Sequence, residues 1–223
     1  MSQQSGDEKA DAEQDRCRIS LNPVRDHSAI AELLRYRRST KSYRPDHINL
    51  QTLSGLLSTV LGSVSGRHRT YGSAHARYDI VVTVVVAAVE GLPTGTYRYL
   101  AVEHALVHGE EGDHRTGLAD GTLDAAWLSE CPVILMLSAD LDAANRAFES
   151  QGTGRGERFC WFEAGLVAQN IYLWAAEKGL GTVFLGGLDH FRIEAATQRL
   201  IPPSHTVLGM LPIGRPTEAP ARP

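Results

Sequence analysis

Cysteine is scarce in this chain. Its 223 residues hold three, Cys17, Cys131 and Cys160. That is too few for a disulfide scaffold, and the spacing is not that of a zinc site. Long apolar runs are also lacking. The longest, Ile80–Val89, is broken by Thr83 and falls far short of a membrane span. The N-terminus has no basic segment followed by an apolar one, so no secretory signal is read there. Positive charge is not in surplus either. Lys and Arg number 22 against 26 Asp and Glu, a net charge of -4, which argues against a dedicated nucleic-acid binder. Aromatic residues make up only 7%, and no basic segment interleaved with them offers a single-strand platform. The apolar share of 43% is enough for a real core. The expectation is a soluble, cytoplasmic protein of about one domain, with no metal, nucleic acid or membrane among its partners.

Residues 1–19 are polar and charged and read as a disordered leader. A single domain is expected over 20–216, followed by a flexible, proline-rich tail over 217–223. Between the tails, helical and strand patterns alternate. Ser28–Arg35 reads as a helix. Asn49 is placed to cap a second helix, with apolar positions at Leu53, Leu56, Leu57, Val60 and Leu61. Tyr78–Val89 reads as a central strand, because its β-branched run implies cover on both faces. Thr96–Leu100 and Ala105–His108 read as a hairpin, and Leu123–Ser129 as a short helix. Val133–Ser138 is a strand. Glu157–Lys178 is the longest helix, ended by Gly179. A short strand at Gly181–Leu185, a helix at Phe191–Leu200 and a strand at Thr206–Pro212 complete the pattern. This interleaving predicts an α+β fold, three-layered in the α/β/α manner.

Two local features carry chemistry. Arg35, Arg37, Arg38, Lys41 and Arg44 fall within ten residues, with Ser39 and Thr40 among them. Guanidinium forks, a mobile ammonium and hydroxyls together suit one phosphorylated small molecule, and a solvated helix face is the plain alternative. Gly179-Leu-Gly181 is not a dinucleotide fingerprint, since it lacks the third glycine and leads into a strand. Gly186-Gly187, just past that strand, is either a tight turn or a place where a flat ring meets exposed amides.

Taken in order, these segments resemble the nitroreductase superfamily over about residues 29–216. Arg37-Arg38-Ser39-Thr40-Lys41-Ser42-Tyr43 is similar to the family's first flavin motif. Gly72-Ser73-Ala74-His75-Ala76-Arg77-Tyr78 is similar to its Pro-Ser-Ala segment, with Gly72 in place of the proline. Glu163-Ala-Gly165-Leu-Val-Ala-Gln169-Asn170-Ile-Tyr-Leu resembles the long helix of the family's dimer core. Gly179-Leu-Gly181-Thr-Val-Phe-Leu-Gly-Gly187 resembles the strand and turn facing the flavin N5 side. Pro212-Ile-Gly214-Arg215-Pro216 resembles the terminal strand, whose basic residue joins the phosphate site. The resemblance implies a nitroreductase fold, with a central mixed or antiparallel sheet flanked by helices. It implies an intertwined homodimer with FMN at the interface. Arg37, Arg38, Ser39, Lys41, Ser73, Ala74, His75, Ala76, Gly186, Gly187 and Arg215 would then form the cofactor site.

Within the superfamily, Val89-Glu-Gly-Leu-Pro-Thr-Gly-Thr-Tyr-Arg-Tyr99 looks most like the streptolysin-type (SagB-type) dehydrogenases. That branch implies an FMN-dependent dehydrogenase or oxidase tailoring a peptide-derived or heterocyclic natural product, for example thiazoline or oxazoline to the azole. Biosynthetic partner proteins are then open. The branch often carries a Lys-Tyr pair shortly before the long helix, and the matching position here is Gln151-Gly152. His75 is the candidate base, because an imidazole titrates near neutral pH. Glu163 is read as a buried partner to an arginine. Phe162, Leu166, Ile171 and Leu173 exceed what one helix of a small monomer needs to bury. The alternative is an NAD(P)H-dependent nitro-, quinone- or ene-reductase, with NAD(P)H as electron donor. A non-catalytic flavin-binding partner subunit is the third reading.

Overall fold

The computed structural model describes residues 19–66 and 68–218. The leader, apart from residue 19, and residues 219–223 of the tail lie outside the described residues. The chain divides into two units, Met1–Glu32 and Leu33–Pro223. In the first, residues 19–28 have no regular structure. Ser28 closes the segment by bonding the Asp26 carboxylate through both its backbone N and its hydroxyl. Helix α1, Ala29–Tyr36, begins in the first unit and ends in the second.

The second unit holds the remaining elements. The Asn49 side chain accepts from Thr52 N at 2.7 Å and caps α2, Leu50–Leu61. All five apolar positions predicted from the spacing are buried there. Each buried leucine contributes about 1.5–3 kcal/mol, so this stripe, more than helix propensity, holds α2 in place. The other helices are α3 (Arg115–Asp120), α4 (Leu141–Ala147), α5 (Arg155–Lys178) and α6 (His190–Thr197). Gly179, at φ 66, ends α5 in the left-handed conformation that glycine adopts without strain.

Five strands form one antiparallel sheet: β1 (Val81–Val86), β2 (Gly95–Leu100), β3 (Ala105–Glu111), β4 (Val133–Ala139) and β5 (Thr206–Ile213). Their order is β3-β2-β1-β4-β5, which puts the β-branched run at the centre. Val84 pairs with Tyr97 on one side and Leu135 on the other. Successive side chains point to opposite faces. Val82, Val84 and Val86 accordingly join Leu56, Val167 and Ile171 in one core, from α2 and α5. Val85 joins Leu118, Leu128 and Ile193 in the other. Three layers result, with helices on both sides of the sheet.

Several expectations need correction. The central strand starts at Val81, not Tyr78, because Tyr78 takes φ 56 and breaks the extended run. Gly181–Leu185 is not a regular strand. It makes isolated bridges instead, Ser39 to Thr182, Gly181 to Gly214 and Leu185 to Met210. The helix read at Leu123–Ser129 is a 3-10 turn over Ala126–Glu130. Helices α3 and α4 gave no periodic signal. Each is one or two turns long, and α4 announces itself only by Asp140, whose carboxylate caps Ala143 N at 2.8 Å. Among the described residues no helix is long and apolar enough to cross a membrane.

Candidate active site

The cationic loop after α1 is set in place by backbone pairing with distant segments. Thr40 N bonds Thr182 O at 2.9 Å, and Arg44 N bonds Arg215 O at 2.8 Å. Ser39 bridges Thr182 and Tyr43 bridges Pro216. This approach requires Gly181, since a Cβ there would come within 2.5 Å of the Thr40 side chain. Arg37, Ser39, Lys41 and Arg215 are thereby gathered on one loop cluster.

Their surroundings differ. The Arg37 guanidinium lies over the Tyr172 ring, 4.9 Å from its centroid. Tyr172 Oη also lies 3.4 Å from Ser39 Oγ and accepts from Phe184 N at 2.8 Å. Tyr172, from α5, therefore ties the first motif to the segment before Gly186. Arg38 turns its Nη1 back onto the carbonyls of Arg35 and Arg37. That caps the end of α1. Among the described residues, Arg37 and Lys41 form no ion pair with a carboxylate. Arg215 Nε is 4.0 Å from Asp46 and largely exposed. Thr182, 1% exposed, keeps an unpartnered hydroxyl beneath the cluster. Cationic forks, hydroxyls and an orphan buried donor form a set that fits a phosphate-bearing polyol.

The second block is a strained turn. His75, Ala76 and Tyr78 take φ of 53, 51 and 56, a conformation that costs a non-glycine residue about 1–3 kcal/mol. Ser73 and Glu163 hold it. Ser73 Oγ accepts from Tyr78 N at 2.7 Å and faces the Glu163 carboxylate, which receives Ile80 N at 3.4 Å. Glu163 is thus buried, as expected, but its hydrogen bond is to a backbone amide, and among the described residues no arginine forms an ion pair with it. His75 is exposed. Its Nε2 lies 3.5 Å from Gln151 Nε2, and its ring is 5.5 Å from Phe148. Ser73, Ala74 and Ala76 are half-buried around it. Gly186 and Gly187 are exposed beyond the Leu185 to Met210 bridge.

Burial pushes the Glu163 carboxyl above the ordinary carboxylate range, while Ser73 and the Ile80 amide pull against that shift. The folded state then holds this proton more tightly than the unfolded chain. Its stabilising contribution is complete at acid pH and is lost as pH rises through the raised value. Glu163→Gln removes that slope. In thermal melts the variant should gain on wild type as the pH is raised from the acid limit through the carboxyl's raised titration range. A constant gap across that range counts against the assignment.

Tyr172 and Thr182 were missed by sequence reasoning. Tyr172 is one aromatic residue among several on a helix, and Thr182 is a threonine in an apolar stretch. Neither type signals a site until the loop at 39–41 is folded onto it.

Residues 34–215 match the sequence model of the Nitroreductase family. A candidate nitroreductase of Methanocaldococcus jannaschii is 31% identical over 192 residues, covering 85% of this chain and 92% of that protein. A candidate nitroreductase of Ralstonia eutropha has a similar crystal structure, with a TM-score of 0.68 and 23% identity over 90% of this chain and 88% of that one. A chain of the Escherichia coli microcin synthetase McbBCD complex, solved with truncated pro-MccB17 bound, gives a TM-score of 0.70 at 19% identity. It covers 93% of this chain and 81% of that one. At such identities the structural likeness speaks to the fold. The family match over most of the chain, on a sheet and motif order of this kind, makes the protein a member of the nitroreductase family and an FMN-dependent oxidoreductase.

Proposed function

We propose that the protein is an NAD(P)H-dependent reductase of nitroaromatic compounds, quinones or activated alkenes, working as a cytoplasmic homodimer with FMN between its copies. The observation that carries this reading is Gln151. Azoline oxidation needs a base for an acidic α-proton, and an amide has no acid–base chemistry there. A reductase that alternates donor and acceptor needs little from protein side chains. When bound, FMN supplies the hydride-transfer chemistry. Arg37, Lys41 and Arg215 would hold its phosphate, with Arg38 at the rim, and Ser39 its ribityl chain. Ser73, Ala74, His75 and Ala76 would border the ring, and the amides of Gly186 and Gly187 would face its N5 edge. The domain concerned is the one read over 20–216.

Two features of α5 support the dimer. Trp161, Phe162 and Leu166 are 43%, 65% and 49% exposed on neighbouring turns, an unusual cost in water for large apolar side chains. Ile171, expected on the same face, is fully buried in its own chain. Glu163, behind the Ser73 block, and Tyr172, behind the Arg37 block, are nine residues apart. That separation is ~13.5 Å along the axis and half a turn around it, so the two blocks are fastened to opposite faces of one helix. A second copy supplies the means for one block to meet the other.

Azoline dehydrogenation by the streptolysin-type branch is the second reading. The placement of His75 beside Gln151 favours it, because an imidazole then stands near the position where that branch carries its base. Anaerobic mixing separates the readings. Bleaching of the yellow flavin within seconds of adding NADPH or NADH is the expected result. Bleaching only by a thiazoline peptide would establish the second reading. Flavin unchanged by either would leave a non-catalytic partner subunit.

A further inference from the structure

Beside the strained turn opens a cleft of about 400 Å³ lined by Ser63, Arg69, His75, Arg77, Tyr78 and Val102 among others. That volume suits part or all of one small molecule. Two guanidinium groups reach it, and their situations differ. Arg77 is satisfied: its Nε and Nη2 bond the Asp79 carboxylate at 2.9 and 3.0 Å. Arg69 donates one N–H from Nη1 to Tyr71 Oη at 3.0 Å. Its Cζ sits 4.7 Å from the centroid of the Tyr78 ring. Tyr78 Oη in turn accepts from the Arg69 backbone N at 3.0 Å, and the two tyrosine rings meet edge to face at 5.5 Å. The fork is therefore held by two aromatic side chains. Among the described residues no carboxylate forms an ion pair with it.

A guanidinium has five N–H donors in a planar array matched to oxyanions. Here the array is oriented in advance at the wall of a small-molecule cleft, with no described carboxylate in ion-pair contact and the buried Glu163 as a more distant negative charge. His75, which belongs to the candidate active site, lines the same cleft. We propose that this cleft is an anion-recognition site in which Arg69, with His75 beside it, binds the phosphate or carboxylate group of a molecule that exchanges hydride at the adjoining flavin site. The inference rests on the oxidoreductase reading and adds a charge requirement to it. Two sources carry the required group, a phosphate of the nicotinamide nucleotide or a carboxylate on an acidic substrate.

Isothermal titration of the FMN-loaded protein tests this with two matched pairs of probes. One pair is 2′,5′-ADP and adenosine, and the other is 4-nitrobenzoate and nitrobenzene. One charged probe should bind at least about tenfold more tightly than its neutral match, as expected for charge-assisted hydrogen bonds. Preference in the first pair identifies the nucleotide as the source, and preference in the second identifies an acidic substrate. Arg69→Gln should abolish the preference. Arg69→Lys should restore part of it, since an ammonium keeps the charge and loses the fork. Circular dichroism checks folding, and if Arg69→Gln does not fold, the wild-type pairs and Arg69→Lys decide the matter. Equal binding of charged and neutral probes by wild type overturns the proposal, as does a preference that survives Arg69→Gln. Protein that binds no FMN and is colourless would instead remove the underlying oxidoreductase reading. Protein that is reduced by NADPH yet indifferent to probe charge removes only the anion site.

Discussion

Arg37→Ala is expected to purify nearly colourless, with its affinity for FMN weakened about 100-fold through the loss of charge-assisted hydrogen bonds to phosphate. The expectation follows from how the side chain is held. Its guanidinium is fixed over the Tyr172 ring, and the loop that carries it is bonded to Thr182 and Arg215. An exposed lysine-like charge on a free helix end would be worth far less, because its ordering must be met on binding. Tyr172→Phe makes a graded control. It keeps the ring under Arg37 and removes the hydroxyl that receives Phe184 N, so about a tenfold loss is expected from one part-buried hydrogen bond left unmade. Quenching of FMN fluorescence during titration gives both constants. Wild-type affinity in Arg37→Ala would return the cluster to its plain reading, a solvated helix end.

The second large effect concerns α5. If the proposed dimer forms through this helix, Phe162→Asp combined with Leu166→Asp should give a monomer of 24.3 kDa in sedimentation at micromolar concentration, where wild type sediments as a dimer. Burying an aromatic or leucine side chain is worth about 1.5–3 kcal/mol, so losing two of them and burying two carboxylates raises the dissociation constant by at least about 1000-fold. Both side chains are exposed in the single chain, so the substitutions leave its core untouched and the monomer should melt normally. Flavin occupancy should fall with the dimer. A double variant that stays dimeric would move the interface away from α5. A monomer that keeps its flavin would show that one chain builds the whole site.

Much of the scaffold was legible because burial on a helix or strand repeats at a fixed period. The stripe from Leu53 to Leu61 predicted α2 and its buried face, and Asn49 predicted its start. The valine run predicted the centre of the sheet, since only a strand covered on both faces can be apolar without alternation. Gly179 predicted the end of the longest helix. Where elements are short the signal fails. Helices α3 and α4 bury one or two residues each, too few to form a period. Gly181–Leu185 looked like a strand because it is apolar, but its partners come singly from the loop at Ser39, from Gly214 and from Met210.

The sequence by itself determined the layers, the long helix, the cationic loop and the family that these motifs indicate. Each of these is written in residues close together along the chain. Only the tertiary structure decided which of the charged groups share a place. Ser39 and Tyr172 are separated by 133 positions, and no local period records such a pairing. The strained turn at His75, the aromatic clamp on Arg69 and the exposure of Phe162 depend likewise on what packs against them. A side chain's charge can be read from its type, but whether that charge is capped, paired or left for a ligand depends on neighbours that only folding supplies.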